Sequence, residues 1–316
     1  MKRYQNNKKV DQNFKCQNNI QVVRIKAYFQ AYIGIFVFLK DLMDGFRAYR
    51  EIRGYTFKDS FFLYLCYFES ALNFLLRRKN FTTVGAYLRR DILLRNRDGL
   101  LLYARAFSED LGHYVGIAKP STKKWFKPKA GDTVIDIGSS VGKFALFAAK
   151  LGARVFAFEA NPETYAILMR KIEYNRLSNI VAFNIALGET KCKAKLFVPV
   201  HFTGSASLRP DWETRVQKKV YEVSMAPLDD FTENLERLDW LLIDVEGYEV
   251  EVLKGAMKTL KKTKRAIVEI SYENQDTVMD LMSSEGFKLV ERGTIQERNF
   301  YALFERPLPS VFLKRK

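Results

Sequence analysis

From residue 131 onward, short runs rich in β-branched and aromatic residues alternate with longer amphipathic runs. Five of the short runs predict buried strands, at residues 133–138, 154–160, 179–187, 240–247 and 265–271. The final runs, FKLVERG and NFYALFER, predict an antiparallel pair. Strands that alternate with helices form mostly parallel sheets covered by helices on both faces. The sequence therefore predicts an α/β fold with a seven-stranded, mostly parallel sheet that includes a C-terminal antiparallel strand.

This rhythm is interrupted for about 50 residues before WLLIDVEG. Within the interruption, KAKLFVPV and KKVYEVSMAPL predict two strands around the polar segment HFTGSASLRPDWETR. A loop of this kind at the carboxyl side of a parallel sheet often forms the wall of a substrate site.

The net charge of +16 is concentrated in the first 130 residues. Residues 1–130 contain 25 Lys and Arg against 10 Asp and Glu, a net charge of +15, whereas the remaining 186 residues contain 27 against 26, a net charge of +1. Such an asymmetry indicates an anionic partner, which could be nucleic acid, anionic lipid or a phosphorylated substrate. A solubilising surface is the alternative interpretation.

The basic N-terminal region is predicted to be mainly helical, because apolar residues recur at spacings of three and four between residues 22 and 46. Two apolar runs, AYIGIFVFL at 31–39 and FFLYLCYF at 61–68, are shorter than the roughly 18–20 residues of a membrane-spanning helix. One interpretation is a helix buried against the rest of the chain. The other is docking on an anionic membrane surface through the cations that flank these runs.

The expected location is cytoplasmic. Cys16, Cys66 and Cys192 are far apart and form no metal-binding pattern, which fits a reducing compartment. The N-terminus, MKRYQNNKKV, lacks the apolar segment of a secretory signal. A peripheral position at the cytoplasmic face of the membrane is the alternative.

The stretch VIDIGSSVG, residues 134–142, places an acid directly before a glycine turn. Dinucleotide sites need a G-x-G-x-x-G pattern so that bare backbone can approach two phosphates. Here Gly138 and Gly142 have no glycine between them, and Asp136 would lie near the anion. The pattern does not suit a pyrophosphate.

S-adenosylmethionine makes different demands, since it has no phosphate and carries an ammonium and a sulfonium. Asp136 can organise the ammonium site, directly or through water, while Gly138 allows close approach of the chain. Glu159 ends the second strand, 23 residues after Asp136, where an acid can accept from both ribose hydroxyls. Asp136, Gly138, Gly142 and Glu159 together predict a cationic adenosyl cofactor, S-adenosylmethionine.

These residues resemble the FkbM family of class I methyltransferases. VIDIGSSVGKFA is similar to the first motif of that family, FAFEANPETYAIL to the second, and FNIALGE to its third-strand segment. LLIDVEGYEVEVLKGA is the most particular match, since an I-D-V-E-G-x-E run before a helix is far more specific than a glycine turn. The resemblance runs from Arg97 to Glu305 and implies a Rossmann-like fold. We therefore divide the chain into an N-terminal region, 1–96, and a methyltransferase domain, 97–316, with its core at 131–306.

The resemblance implies methyl transfer to a hydroxyl oxygen of a sugar, a glycan or a small or lipid-linked metabolite. Ser140 departs from the family, in which an asparagine is common at this position, and this should change one hydrogen bond near the cofactor. By position, the resemblance implies cofactor contacts from Asp136, Gly138, Ser139, Ser140, Glu159, Ala160, Asn161, Ala186 and Asp244.

A hydroxyl acceptor needs a general base, and three residues are the main candidates. Asp244 ends the fourth strand, where open sheets bind ligands, and Glu246 follows two residues later. His201 opens the HFTGSASL loop. Glu269 and His113 are weaker candidates. Asp244 and Glu246 could bind Mg²⁺ together with a substrate diol, but no metal is predicted, because two carboxylates are too few.

Two rival interpretations remain. An RNA methyltransferase could use the basic N-terminal region to bind tRNA or rRNA. Against this, the fourth strand ends in DVEG, and the fifth ends in VEIS without a lysine. The other rival is a non-catalytic, membrane-docked scaffold with a methyltransferase-like fold.

Overall fold

The structure is a computed structural model that describes residues 52–75, 87–108, 110–111, 120–200, 203–212, 216–295 and 298–307. The predicted apolar stripe at residues 22–46 lies outside these residues, as do His113 and His201. In chain order the elements are β1 (Ile52–Gly54), α1 (Phe57–Leu75), β2 (Ile92–Asn96), β3 (Leu101–Ala104), α2 (Pro120–Trp125), β4 (Thr133–Ile137), α3 (Lys143–Lys150), β5 (Arg154–Phe158), α4 (Pro162–Tyr174), β6 (Ile180–Phe183), β7 (Ala186–Leu187), β8 (Cys192–Pro199), β9 (Lys218–Ala226), α5 (Asp229–Thr232), β10 (Leu238–Ile243), α6 (Glu249–Lys254), α7 (Met257–Lys262), β11 (Thr263–Ser271), α8 (Gln275–Ser284), β12 (Lys288–Ile295) and β13 (Asn299–Glu305).

The main sheet has seven strands in the order β12-β13-β11-β10-β4-β5-β6. Strands β6, β5, β4, β10 and β11 are parallel, whereas β13 is antiparallel to both β11 and β12. The predicted α/β fold, with its antiparallel C-terminal strand, is therefore confirmed. The chain leaves β4 towards β5 on one side, and β10 lies on the other side. This reversal of strand order makes a crevice at the carboxyl ends of β4 and β10, the place where open sheets bind ligands.

Helices bury both faces of the main sheet. Strand β10 is buried along its whole length, which explains its continuous apolar sequence. On one face Leu241 packs with residues of α6 and α8, and on the other face Trp240 packs with the alanines of α3. The carboxyl ends of the central strands are thus held in a fixed register.

A second sheet has the order β7-β9-β8 and accounts for the interruption seen in the sequence. Its strands β8 and β9 confirm the two predicted strands. The prediction of one continuous third strand over residues 179–187 was wrong, because Ile180–Phe183 lies in the main sheet and Ala186–Leu187 pairs with β9. The break falls at Asn184, whose side-chain amide donates to the backbone oxygens of Glu159 and Ala160 and so turns the chain.

The described part of the N-terminal region is only partly helical. Helix α1 confirms a helical segment, but β1 and β2 are strands, so the helical prediction was wrong for them, and they form a three-stranded antiparallel sheet with β3, which follows the predicted boundary. The alternation of buried and exposed residues in β2 and β3 has the period of two that strands require. The predicted boundary at residue 96 falls in the turn between β2 and β3, where Gly99 has a φ of 78°.

This small sheet is joined to the main domain through helix α4. The side chain of Asn175, directly after α4, accepts from the Leu101 nitrogen at 2.7 Å and donates to the Leu101 oxygen at 2.8 Å. It also donates to the Lys171 oxygen, while Leu146 of α3 belongs to the apolar cluster of the small sheet. Among the helices in the described ranges, none combines the length and apolar composition needed to cross a bilayer.

Replacing Asn175 tests this connection. The Asn175→Ala variant should lose about 1–3 kcal/mol of unfolding free energy, because two backbone groups of β3 lose their partner. Urea denaturation followed by circular dichroism measures the change. The matched control is Glu173→Ala, an exposed position on the same helix, which should change stability by less than about 0.5 kcal/mol. Equal stability of the two variants would contradict the connection.

Candidate active site

A pocket opens at the carboxyl ends of β4, β5 and β10. Backbone from the glycine turn forms its floor, and residues of the second sheet and of the loop before β9 form its wall. It is lined by Ile137, Gly138, Ser140, Phe158, Glu159, Ala160, Ile185, Ala186, Leu187, Leu196, Gly204, Ala206, Ser207, Leu208, Asp244, Val245 and Tyr248. Apolar residues thus surround two carboxylates, those of Glu159 and Asp244.

The glycine turn requires a residue without a side chain at position 138. Gly138 has a φ of 75°, and a β-carbon there would lie 1.8 Å from the Asp244 backbone oxygen. The nitrogens of Gly138 and Ser139 both donate to the Phe158 oxygen, which ties the turn to the end of β5. The close approach of β4 to β10 therefore depends on this glycine.

Ser140 occupies the most unusual backbone conformation of the turn. Its φ of 48° lies in the left-handed region, which asparagine tolerates better than serine. The Ser140 hydroxyl is buried, and no hydrogen-bond partner for it lies in the described part of the chain. Because Ser140 also lines the pocket, this hydroxyl can bond to a ligand there.

Glu159 lies at the pocket, where the sequence predicts it. One carboxylate oxygen accepts from the Ser140 nitrogen and the other from the Asn161 nitrogen, each at 2.7 Å. Burial raises the pKa of Glu159 from 4.5 to about 7, against the lowering effect of these two bonds. Each oxygen retains a lone pair that can accept from a ligand hydroxyl.

Asp136 lies behind the turn rather than at the pocket surface. It is 2% exposed, and it accepts from the Ala145 nitrogen in the first turn of α3. Burial raises the pKa of Asp136 from 3.8 to about 7, and the neighbouring Asp244 carboxylate adds to this rise. Its position favours an electrostatic effect on the pocket over direct contact with a ligand.

Three further predicted contact residues also lie behind the lining. The Ser139 hydroxyl donates to the Asp136 backbone oxygen. The Asn161 side chain caps α4 by accepting from the Glu163 nitrogen. Gly142 precedes α3 with a φ of 85°. These residues shape the turn and the helix starts, whereas Ala160 and Ala186 line the pocket as predicted.

Asp244 has a partner that the sequence did not indicate. The Tyr301 hydroxyl donates to Asp244 Oδ2 at 2.6 Å from the antiparallel strand β13. Burial, together with the carboxylates of Asp244 and Glu269, holds the pKa of Tyr301 well above its usual value. Tyr301 therefore acts as a hydrogen-bond donor to one oxygen of Asp244, a residue that also lines the pocket.

Glu246 lies next to Asp244 in a second left-handed conformation, with a φ of 51°. Its Oε2 accepts from the Trp212 indole nitrogen at 3.1 Å, and its backbone oxygen accepts from the Ser207 hydroxyl at 2.7 Å. The loop 203–212 is thereby fastened to the end of β10. Sequence reasoning missed Trp212, although it lies within the polar segment that was expected to form the wall.

The carboxylates of Asp244, Glu246 and Glu269 form an acidic group, in which an oxygen from each lies within 4.8 Å of the others. Together they create a negative potential at this side of the pocket, which attracts cationic groups. Their oxygens are also of the type that Mg²⁺ prefers. Sequence reasoning gave Glu269 little weight, because the pairing of β11 with β13 could not be seen.

Several pocket residues could not be found from the sequence pattern. Ile185 and Tyr248 form an apolar side near the second sheet, with Leu196 contributed by β8. Leu196 comes from a different sheet, so no motif spacing links it to the glycine turn. His201, the third candidate base, precedes the described wall residues and remains a prediction.

The raised pKa values predict how stability depends on pH. The folded protein holds protons on Asp136 and Glu159 up to about pH 7, whereas the unfolded chain releases them near the ordinary pKa values of 3.8 and 4.5. The free energy of unfolding contributed by these groups therefore falls as pH rises through this window. We expect the melting temperature to drop less between about pH 5 and pH 7 in Glu159→Gln than in the wild type.

Differential scanning fluorimetry at several pH values measures this dependence. The control is Glu222→Gln, an exposed position whose variant should follow the wild-type curve. A Glu159→Gln curve parallel to that of the wild type would contradict the burial effect on this carboxyl.

Comparison with known proteins adds to the geometry. Residues 136–289 match the model of the Methyltransferase FkbM domain. Methyltransferase 1 of Beauveria bassiana is 24% identical over 194 residues, which cover 55% of this chain and 74% of that protein. Hexuronic acid methyltransferase AglP of Haloferax volcanii is 28% identical over 141 residues, which cover 44% of this chain and 56% of that protein.

The precorrin-6y C5,15-methyltransferase structure from Geobacter metallireducens superposes with a TM-score of 0.38 at 11% identity, covering 59% of this chain and 85% of that one. The family model extends over the segment that carries the glycine turn, Glu159 and Asp244. The protein is a methyltransferase, and its residues 136–289 match the FkbM methyltransferase domain.

Proposed function

We propose that the protein transfers a methyl group from S-adenosylmethionine to a hydroxyl oxygen of a sugar, a glycan or a lipid-linked metabolite. The strongest support is the charge of the pocket, in which Glu159 and Asp244 line an otherwise largely apolar crevice beside the glycine turn. A cationic adenosyl compound suits such a crevice, since the carboxylates attract the cation and accept from ribose hydroxyls.

The residues present fit this cofactor. The buried Ser140 hydroxyl supplies an unused hydrogen-bonding group at the turn, and Glu159 supplies carboxylate lone pairs at the end of β5. Ala186 and Leu187 supply a flat apolar edge for the adenine. A pyrophosphate would instead face buried carboxylates, because Asp136 lies directly behind the turn.

When bound, S-adenosylmethionine supplies an electrophilic methyl group carried on a sulfonium. The contribution of this chain is then mainly positioning, since an in-line displacement depends on the alignment of the acceptor oxygen. The loop 203–212 limits the access of water and acceptor to one side of the pocket, where Ser207 and Trp212 hold it to Glu246.

Asp244 is the base that the geometry favours. It lines the pocket, and the bond from Tyr301 to Oδ2 fixes its orientation. Its other oxygen is available to accept the proton that the acceptor hydroxyl loses. Glu246 is the second candidate, although its Oε2 already accepts from Trp212. His201 remains the third.

A sugar acceptor is supported by the relative that is named as a hexuronic acid methyltransferase. The loop beside the acidic group is polar and aromatic, with Arg209 held between Asp211 and Glu273. Polar side chains next to an aromatic residue are typical of sites for hydroxylated ligands. The wall therefore suits a carbohydrate better than a flat apolar acceptor.

Binding of S-adenosylmethionine provides the first test of this proposed function. Isothermal titration calorimetry should show that the protein binds S-adenosylmethionine and that Glu159→Ala loses at least about tenfold in affinity, because the ribose loses its acceptor. Glu222→Ala, on an exposed strand position, serves as the control and should bind like the wild type. Unchanged affinity in Glu159→Ala would remove Glu159 from the ribose site.

The methyl-transfer reaction provides the second test of this proposed function. With methyl-labelled S-adenosylmethionine and a panel of hexuronic acid glycosides, label should enter a product that resists mild alkali, as an ether does and an ester does not. Asp244→Asn should lower turnover by about 100-fold or more if this carboxylate is the base, and Glu246→Gln should lower it less. Labelling of RNA in place of the glycosides would contradict the proposal.

A further inference from the structure

Helix α1 carries an apolar stripe on its solvent-exposed face. The stripe consists of Phe57, Phe61, Tyr64, Leu65, Phe68 and Leu72, which are between 41% and 88% exposed. With 3.6 residues per turn, these positions fall within an arc of about 100° and extend over about 22 Å. Contiguous exposed apolar surface of this kind marks a contact with another molecule or with a membrane.

The opposite face of α1 is fixed to the small sheet. Leu63 and Cys66 are buried in its apolar cluster. Asp59 caps the helix by accepting from the nitrogen and hydroxyl of Thr56, and it also accepts from Arg90. The helix therefore cannot rotate to bury its stripe, which stays directed outward.

Cations border the stripe. Arg53 and Lys58 are exposed at its N-terminal end, and the Arg95 guanidinium lies 5.2 Å from the ring centroid of the half-exposed Tyr55. By sequence, residues 47–97 contain 11 Lys and Arg against four Asp and Glu, a net charge of +7. Both acids of the helix are already paired, Asp59 with Arg90 and Glu69 with Arg89.

We propose that helix α1 docks the protein on an anionic lipid surface, with the stripe inserted at the boundary between headgroups and acyl chains. Helices that lie on membranes combine an aromatic and aliphatic face with flanking Lys and Arg, as α1 does. The bordering cations meet the negative potential of anionic headgroups. This inference extends beyond the proposed reaction and does not depend on it.

The charges favour lipid over a second copy of the chain. In a two-fold pair of stripes, the basic region around α1, with its net charge of +7 over residues 47–97, would face the same region of the other copy. Like charges would then be brought together in the contact. An anionic surface neutralises this charge instead.

Two other occupants fit less well. The segment 22–46 precedes α1, but its run 31–39 is apolar on every face, so covering the stripe would leave apolar surface of that segment exposed. RNA would bind the cations through its phosphates and stack its bases on some of the aromatic rings. Leu65 and Leu72, however, can neither stack on a base nor form a hydrogen bond with it. A bilayer surface satisfies the aliphatic, aromatic and basic groups together.

Vesicle flotation with the full-length protein tests the proposal. Binding is compared on phosphatidylcholine vesicles with and without about 30% phosphatidylglycerol. We expect binding to the anionic vesicles and at least about a tenfold loss in the Phe61→Ser/Phe68→Ser variant, because two inserted rings are removed. The matched control is Val220→Ser/Val290→Ser, which removes exposed apolar side chains elsewhere and should bind like the wild type.

A second measurement covers the event that the serine variant is unstable. The Phe68→Trp variant adds one tryptophan to those of the wild type. The emission of this added tryptophan should shift to the blue when anionic vesicles are present, and brominated lipid should quench it. In Val290→Trp it should do neither.

Four results would overturn the proposal. The first is equal flotation of the stripe variant and the control variant, and the second is a dimer of the wild type that the stripe substitutions dissociate. The third is blue-shifted emission of Phe68→Trp in the absence of vesicles. The fourth is RNA binding by a wild type that does not bind vesicles, when the stripe variant loses this RNA binding. The last three would identify a second copy, the segment 22–46 and RNA as the respective occupants.

Discussion

The turn at Gly138 passes so close to the end of β10 that a single β-carbon would collide with the Asp244 backbone. This contact holds the carboxyl ends of two parallel strands side by side, at the reversal of strand order. It also brings Glu159 and Asp244 into one pocket, because the same turn is bonded to the end of β5. Without a glycine at this position the turn and the end of β10 would have to move apart.

The site also depends on the free-energy cost of burying the negative charge of its carboxylates. Asp136 and Glu159 are deeply buried, and the pKa of each is raised chiefly by loss of water. Backbone donors from Ser140, Asn161 and Ala145 compensate only in part. Above about pH 7 these carboxylates are ionised and create a negative potential beside the pocket.

The sequence predicts those parts of the fold that short-range periodicity determines. The central strands are continuous apolar runs, so their positions and the α/β class follow from pattern alone. Residues 186–187 could not be assigned to the second sheet, because Asn184 breaks a run that has the composition of one strand. Strands β2 and β3 were likewise missed, since their alternation is short and lies within a region dominated by helical spacing.

At the site, the sequence predicted the motif residues that lie next to a strand end. It did not predict the residues that distant elements of the fold supply. Glu159 and Asp244 line the pocket because strand ends converge there. Tyr301, Trp212 and Leu196 reach the site through tertiary contacts, for which one sequence holds no spacing rule. Asp136 and Asn161 lie behind the lining, and a motif position does not tell whether a side chain faces a ligand or supports the backbone behind it.

The bond from Tyr301 to Asp244 joins the pocket to β13, the C-terminal strand of the main sheet. During synthesis on the ribosome, the glycine turn, Glu159 and Asp244 all emerge well before residue 301, at a rate of about 5–20 residues per second. The nascent chain therefore contains these pocket residues before it contains the hydroxyl that donates to Asp244. The hydrogen bonding of Asp244 is completed only when β13 inserts between β11 and β12.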